Sequence, residues 1–153
     1  MKILSIDPGD RTGFAWLDTD YYTSFRSWET ISIHKAIDSV RRELPSVSTV
    51  VVEDFIISSE THKKSKPQHW PLELIGVVAY LCRSEGVLCV RQQPAQRLWM
   101  DNDKLKALGW YKGAKKATDT QGHADDAARH LGVYLGAVKQ DQDFLRRLCE
   151  WSN

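Results

Sequence analysis

The chain has 153 residues, of which 42% are hydrophobic, and a formal net charge of +1, which fits one domain spanning residues 1–153 with a sizeable core. No apolar run approaches the roughly 18 to 20 residues that cross a bilayer, and the N-terminal MKILSIDPG reaches an aspartate too early for a signal peptide, so we expect a cytoplasmic protein that does not bind membranes. The three cysteines are odd in number and form no CxxC pair, which suggests neither a disulfide framework nor a zinc knuckle.

The first third of the chain predicts mainly strands. Three strands are expected at residues 2–7, 12–17 and 21–28, a helix at 31–44 and a fourth strand at 49–53. The fourth strand, TVVVE, is apolar until its last residue, as in a central strand that is buried on both faces. The first and fourth strands both end on an acid, Asp7 and Glu53.

The rest of the chain predicts mainly helices. A loop is expected at 56–69, helices at 71–84, 96–108, 124–138 and 141–151, a strand at 87–90 and a basic loop at 111–121. This order of strands and helices is that of an α/β sandwich. Ligands of such sheets bind at the carboxyl ends of the strands, where Asp7 and Glu53 are expected.

Charge is distributed unevenly along the chain. Residues 1–61 carry 6 Lys and Arg against 10 Asp and Glu, residues 62–116 carry 11 against 4, and residues 117–153 carry 4 against 6. Acidic ends and a basic middle suit an enzyme that holds cations with carboxylates and DNA phosphates with lysines. Solvated surface charge explains the same pattern, and charge alone does not choose between the two.

Three acidic motifs occur in the order known from one nuclease family. ILSIDPG at residues 3–9, VVVE ending at Glu53 and GHADDAARH at residues 122–130 resemble the acidic motifs of the RuvC Holliday junction resolvases. LIGVVA at residues 74–79 and QPA at residues 93–95 also occur in the family's order. The resemblance covers residues 1 to about 138, and the shortness of the chain resembles the compact phage-encoded members, which would work in the host cytoplasm.

The resemblance implies an RNase H-like α/β fold, with a central mixed five-stranded sheet flanked by helices. It also implies a homodimeric endodeoxyribonuclease that nicks four-way DNA junctions symmetrically in recombination and repair. Two Mg²⁺ ions per active site would support the phosphodiester hydrolysis, and Mn²⁺ would be able to replace them. The alternatives are another RNase H-like nuclease that acts on forks, flaps or structured RNA, and a protein that binds branched DNA without cutting it.

The resemblance assigns catalytic and metal-binding roles to four residues, Asp7, Glu53, His123 and Asp126. Asp7 and Glu53 match the first two acidic positions. His123 and Asp126 match the third motif and share one helix face, whereas Asp125, about 100° away on the helix, is the rival ligand. An imidazole in place of a carboxylate would favour Mn²⁺ over Mg²⁺.

Each motif also has a structural explanation. Asp7-Pro8-Gly9 is by itself an ordinary turn, and Asp126 suits the first turn of a helix. His130, on the same helix face as Asp126, is interpreted as a packing residue. Glu53 is harder to explain in this way, because a half-buried acid at the end of an apolar strand needs a cation, a proton or hydrogen-bond donors.

Two basic segments with few acids are expected to contact DNA phosphates. Their lysines are Lys63, Lys64, Lys66, Lys104, Lys106, Lys112, Lys115 and Lys116. Phe55 follows Glu53 by two residues, and an apolar ring there either wedges between bases at the junction or packs under the loop. The helix at 71–84 is apolar on more than one face, which suits either a dimer interface or a buried core helix.

Overall fold

Five strands and five α-helices make up most of the part of the chain that the computed structural model describes, residues 1–9, 11–56, 69–113 and 122–150. In chain order they are β1 Lys2–Asp7, β2 Thr12–Asp18, β3 Tyr21–Thr30, α1 Ile33–Glu43, β4 Thr49–Glu53, α2 Trp70–Ser84, β5 Leu88–Gln92, α3 Asn102–Ala107, α4 Gly122–Val133 and α5 Gln142–Glu150. Two 3₁₀ segments, Leu44–Ser46 and Pro94–Trp99, and a π-helical turn, Tyr134–Val138, lie between them. None of these helices is long and apolar enough to cross a membrane.

The strands form one mixed sheet in the order β3-β2-β1-β4-β5. β1, β2 and β3 pair antiparallel, whereas β4 runs parallel to both β1 and β5. The register sets Ile6 beside Val52 and Glu53 beside Gln92, so the carboxyl ends of β1, β4 and β5 lie together at one end of the sheet. The predicted mixed five-stranded sheet flanked by helices is confirmed.

Helices cover both faces of the sheet because successive strand side chains point to opposite sides. Ile3 and Val51 pack with residues of α3, α4 and α5, which we call the α4 layer. Leu4 and Val50 pack with residues of α1 and α2, which we call the α1–α2 layer. With both faces covered, β4 is a continuous apolar strand, as predicted.

The prediction of a single helix at 96–108 is wrong. The 3₁₀ segment ends at Trp99, and α3 begins only at Asn102. Between them, the Met100 side chain is fully buried against Gly132 of α4, and Asp101 caps α3 by accepting from the Lys104 N–H at 2.9 Å. Burial of one methionine and a helix cap therefore override the apolar periodicity.

Other element boundaries differ from the prediction by a few residues. β5 continues to Gln92, two residues beyond the predicted strand, and α4 gives way to the π-helical turn instead of remaining α-helical to residue 138. The longer β5 places Gln92 inside the sheet, where its side chain is buried. The predicted end of the last helix, at residue 151, lies outside the described residues.

Candidate active site

The carboxyl ends of β1 and β4 hold two acids side by side. The two strands are adjacent and parallel, and Asp7 and Glu53 each follow the last residue of their shared ladder, Ile6 and Val52. The Asp7 side chain is buried and the Glu53 side chain is mostly buried. Neighbouring carboxylates oppose each other's ionisation, so both need partners.

The start of α4 lies over these strand ends, and two glycines make room for it. A Cβ at Gly13 of β2 would overlap the backbone carbonyl of His123, and a Cβ at Gly9 would overlap the His123 ring. Glu29 of β3 accepts a hydrogen bond from the Ala124 N–H at 3.2 Å, which satisfies one of the unpaired amides of the first helical turn. The helix start is thereby fixed close to the sheet.

Asp7 and His123 form the first of two carboxylate–histidine pairs, with 2.6 Å between Oδ2 and Nδ1. Burial raises the pKa of Asp7 above its ordinary value, and the Glu53 and Asp126 carboxylates act in the same direction, against the hydrogen bond with His123. The hydrogen bond with Asp7 and the charges of nearby carboxylates raise the pKa of His123. Both shifts favour keeping a proton between the two side chains.

Glu53 and His130 form the second pair. His130 of α4 is completely buried, and its Nε2 lies 2.5 Å from Glu53 Oε2. The Gln92 side-chain nitrogen donates to His130 Nδ1 at 2.7 Å, while its oxygen accepts from the Tyr134 N–H. Nε2 therefore carries the ring hydrogen and donates it to Glu53. Although burial opposes the charge of Glu53, the hydrogen bond from His130 and the nearby Arg97 hold the pKa of Glu53 below its ordinary value.

Two arginines pair with the third acid, Asp126. Arg97, from the 3₁₀ segment, places one atom, Nη1, 3.1 Å from Glu53 Oε2 and 3.3 Å from Asp126 Oδ2. Arg129 donates to the other Asp126 oxygen and to Asn102. Partial burial opposes the charge of Arg97, but the charges of the surrounding carboxylates raise its pKa. Arg97 therefore remains a cation among the acids.

Asp125, the rival ligand, is engaged elsewhere. It is buried, and its two oxygens accept the backbone N–H groups of Lys112 at 2.9 Å and Gly113 at 3.1 Å. Asp125 thereby ties the chain after α3 to the first turn of α4. The partners of Asp125 are backbone amides, whereas both oxygens of Asp126 contact arginine side chains, one of which also contacts Glu53.

Sequence reasoning leaves four side chains of this cluster out of the site, His130, Gln92, Arg97 and Arg129. It interprets His130 as a packing residue, although the seven-residue spacing from His123 indicates that both histidines lie on one face of α4. Gln92 and Arg97 have no local signal in the sequence. They reach the site only because β5 and the 3₁₀ segment pack beside α4.

Comparison with known proteins identifies the fold, although no protein family model and no curated protein sequence match the chain. The chain is similar to Thermus thermophilus RuvC in complex with a Holliday junction substrate, with a TM-score of 0.62 and 16% identity, over 92% of this chain and 96% of that one. A second Thermus thermophilus RuvC structure matches with a TM-score of 0.56 and 15% identity, over 90% of this chain and 97% of that one. The chain has the RuvC fold. The predicted RNase H-like architecture is thereby confirmed.

The predicted DNA-binding residues lie in different environments on this RuvC fold. Phe55 is half-buried and packs against the α1–α2 layer. Lys104 and Lys106 each form an ion pair of 3.0 Å with the aspartate three residues earlier, and Lys112 is exposed. The remaining predicted residues lie outside the described part of the chain: Lys63, Lys64, Lys66, Lys115 and Lys116.

The acids of this site contact basic side chains and not a metal-ready cluster of their own kind. Among the described residues, no three His, Cys, Asp or Glu side chains are gathered as a ready-made metal site. The Arg97 Nη1 nevertheless contacts Glu53 and Asp126 at once, at 3.1 and 3.3 Å. A cationic nitrogen therefore already lies between two carboxylates, in an arrangement that suits a positive charge.

Proposed function

We propose that the protein is a divalent-metal-dependent endonuclease that resolves four-way DNA junctions by symmetric paired nicking. The observation that carries the proposal is the convergence of Asp7, Glu53 and Asp126 at one end of the sheet. They come from β1, β4 and α4 of a fold similar to that of a RuvC bound to a Holliday junction. Acids gathered from distant parts of a chain oppose folding unless cations balance them, which supports a functional site.

Asp7, Glu53 and Asp126 are the proposed metal ligands, together with His123. Carboxylate oxygens suit Mg²⁺, and an imidazole nitrogen makes Mn²⁺ a suitable replacement. The Arg97 nitrogen between Glu53 and Asp126 supports this assignment, because it marks a place where these carboxylates hold a cation. When bound, two divalent cations would activate the attacking water and stabilise charge on the leaving oxygen.

Other residues of the chain would orient the ligands. His130 donates to Glu53 and is itself held by Gln92, so the Glu53 carboxylate is fixed from inside the core. His130 is completely buried and cannot contact DNA, which makes it a positioning residue. His123, by contrast, is partly exposed beside Asp7 and would be accessible to a metal ion or to DNA.

Branched DNA is the proposed substrate, and the predicted lysines would bind its phosphates. Lys112 is exposed for such contacts, whereas Lys104 and Lys106 would first have to leave their aspartate partners. The sequence leaves two roles open for Phe55, a wedge between bases and a packing residue under the loop. Its packing against the α1–α2 layer supports the structural alternative, in which the ring stabilises the chain after β4.

Paired nicking requires two sites related by symmetry, which a homodimer supplies. α2 packs against the sheet with its buried face, which includes Leu74 and Val78, and leaves Gly76 and Tyr80 exposed. This exposed face of α2 is the proposed contact between protomers. Sedimentation velocity, with and without junction DNA, should show a dimer, and a monomer under both conditions would contradict paired nicking.

The proposed activity is tested with labelled four-way, forked and linear DNA in Mg²⁺, in Mn²⁺ and in EDTA. We expect paired nicks in the four-way junction only when a divalent cation is present. Asp7→Asn should slow cutting by roughly 100-fold or more, because even groups that only orient metal ligands contribute 10- to 100-fold. Asp143→Asn removes an exposed carboxylate from α5 and serves as the control with wild-type activity.

Three outcomes would change the proposal. Unchanged cutting by Asp7→Asn contradicts the mechanism. Preferential cutting of forks, flaps or structured RNA assigns the same site to another substrate. Junction binding without cutting in any metal makes the protein a branched-DNA binding protein.

A further inference from the structure

Two arginines lie among the carboxylates that the proposed function assigns to metal ions. Arg97 Nη1 contacts Glu53 and Asp126, and Arg129 contacts the second oxygen of Asp126. The acids are therefore already neutralised by cations of the chain itself. A divalent cation that enters must compete with these guanidinium groups for the same oxygens.

We propose that Arg97 is a built-in counter-ion, which takes the place of a divalent cation in the metal-free protein and moves to a DNA phosphate when the metal binds. The inference rests on the proposed function, since it concerns the same carboxylates. The decisive contact is that of one nitrogen with two carboxylates from different elements, β4 and α4. A single ion pair, with either Glu53 or Asp126, would be enough if Arg97 served only to hold the 3₁₀ segment against the rest of the protein.

The Arg97 side chain has room to leave the carboxylates. It is 35% exposed and lines an open cavity of about 330 Å³ whose other lining residues are Leu98, Met100, Asp101, Asn102, Asp126 and Arg129. The guanidinium can therefore swing into the cavity while the core stays packed. His130, the other basic partner of Glu53, is completely buried and has no such freedom.

A released guanidinium suits a phosphate group. Its planar fork of N–H donors matches two phosphate oxygens, and it stays charged at any pH at which the protein is folded. The same arginine would thus bind carboxylates in the absence of metal and DNA in its presence. Metal binding and DNA binding would then strengthen each other by the same factor.

Titration of Mn²⁺ alone into the metal-free protein, followed by calorimetry, tests the competition. We expect Arg97→Gln to bind Mn²⁺ more tightly than the wild type, by about 5- to 150-fold, the usual range of coupling between two ligands. Arg97→Lys keeps the charge without the fork and should lie between the two. Arg146→Gln is the control: Arg146 forms an exposed ion pair with Asp143 on α5, outside the site, and its loss should leave Mn²⁺ affinity unchanged.

Junction binding tests the second half of the inference. Fluorescence anisotropy is measured in EDTA and in Ca²⁺, a divalent cation with oxygen ligands, and a gel checks that the DNA stays intact. Ca²⁺ should strengthen junction binding by the wild type more than by Arg97→Gln. An equal gain for both proteins would overturn the transfer of Arg97 to phosphate.

The outcomes separate this inference from the proposed function. If Asp7→Asn loses Mn²⁺ binding while Arg97→Gln binds Mn²⁺ no more tightly than the wild type, the counter-ion role is overturned and the metal site stands. If the wild type and Arg97→Gln both bind Mn²⁺ no better than Asp7→Asn, the metal site and the counter-ion role fail together. Should Arg97→Gln not melt cooperatively, Arg97→Met, which also removes the charge, decides, and a wild-type Mn²⁺ affinity for it overturns the inference.

Discussion

The two carboxylate–histidine pairs of the candidate site have nearly the same contact and very different surroundings. Asp7 and His123 are 2.6 Å apart, and Glu53 and His130 are 2.5 Å apart. The His123 side chain is 38% exposed, whereas that of His130 is 0% exposed and is held by Gln92 on its other side. One pair is therefore free to exchange partners, and the other is a fixed part of the core. Their difference shows that burial, more than contact distance, decides what a histidine beside an acid can do.

Loss of His130 is expected to have the largest effect on stability. His130→Ala removes the buried donor of Glu53, which keeps only Arg97, and leaves the Gln92 amide with only the backbone carbonyl of residue 130 as acceptor. Removing one partner of a buried pair costs about 3–5 kcal/mol, which urea denaturation would measure. His34→Ala, on the exposed side of α1, should stay within about 0.5 kcal/mol of the wild type. If His130→Ala lowered the free energy of unfolding as little as the control does, the Glu53–His130 pair would not stabilise the fold.

Gly13 offers a way to disturb the exposed pair without changing either member. Gly13→Ala places a Cβ against the His123 backbone and should cost about 1–3 kcal/mol through overpacking. It should also slow DNA cutting, because the helix start that carries His123 must move away from the sheet. Gly76→Ala is the matched control on α2, measured at a concentration that keeps the protein monomeric: its Cβ would meet no atom of its own protomer within 4 Å, and alanine favours a helix by up to about 1 kcal/mol. Thermal unfolding should therefore shift in opposite directions for the two variants, and equal shifts would refute the close approach of α4.

His123→Asp is expected to have the smallest effect on stability and a distinct effect on metal preference. His123 is 38% exposed, so the lost pair and the added like charge beside the buried Asp7 should cost less than the loss of the fully buried His130. A fourth carboxylate, beside Asp7, Glu53 and Asp126, should raise activity in Mg²⁺ relative to activity in Mn²⁺. The ratio of cutting rates in the two metals measures this change. Identical ratios for the variant and the wild type would show that His123 does not bind the metal.

The positions of Asp7 and Glu53 could be predicted because they depend on local properties of the sequence. A short apolar run ending in an acid predicts a buried strand with a carboxylate at its end, and both strands are observed with the predicted bounds. Their adjacency follows from the parallel order of an α/β sheet. The face shared by His123 and Asp126 follows from helical geometry in the same way.

The basic partners of these acids could not be predicted, because their contacts are made between distant segments. Arg97 and Glu53 are 44 residues apart in the sequence, and His130 and Gln92 are 38 apart. These contacts form because β5 and the 3₁₀ segment pack beside α4. No local sequence pattern predicts this packing. The break before α3 has the same origin, since it depends on the burial of Met100 against another helix.

The sequence around the lysines of α3 contains a spacing that a count of basic and acidic residues does not reveal. Lys104 and Lys106 each have an aspartate three residues earlier, a spacing that brings side chains together on a helix. Their charges are therefore partly used within α3. A count of basic residues along a segment overestimates the charge that the segment can offer to a phosphate.

The start of α4 packs against Gly9 and Gly13, so the candidate site forms only after α4 has been synthesised. Asp7 and His123 are 116 residues apart, so the ribosome completes Asp7, Glu53, Gln92 and Arg97 before it reaches the site residues of α4. A nascent or truncated chain that stops before α4 carries Asp7 and Glu53 without His123, Asp126 and His130. Such a fragment cannot assemble the site, and only a polypeptide that includes α4 can acquire whatever chemistry the site performs.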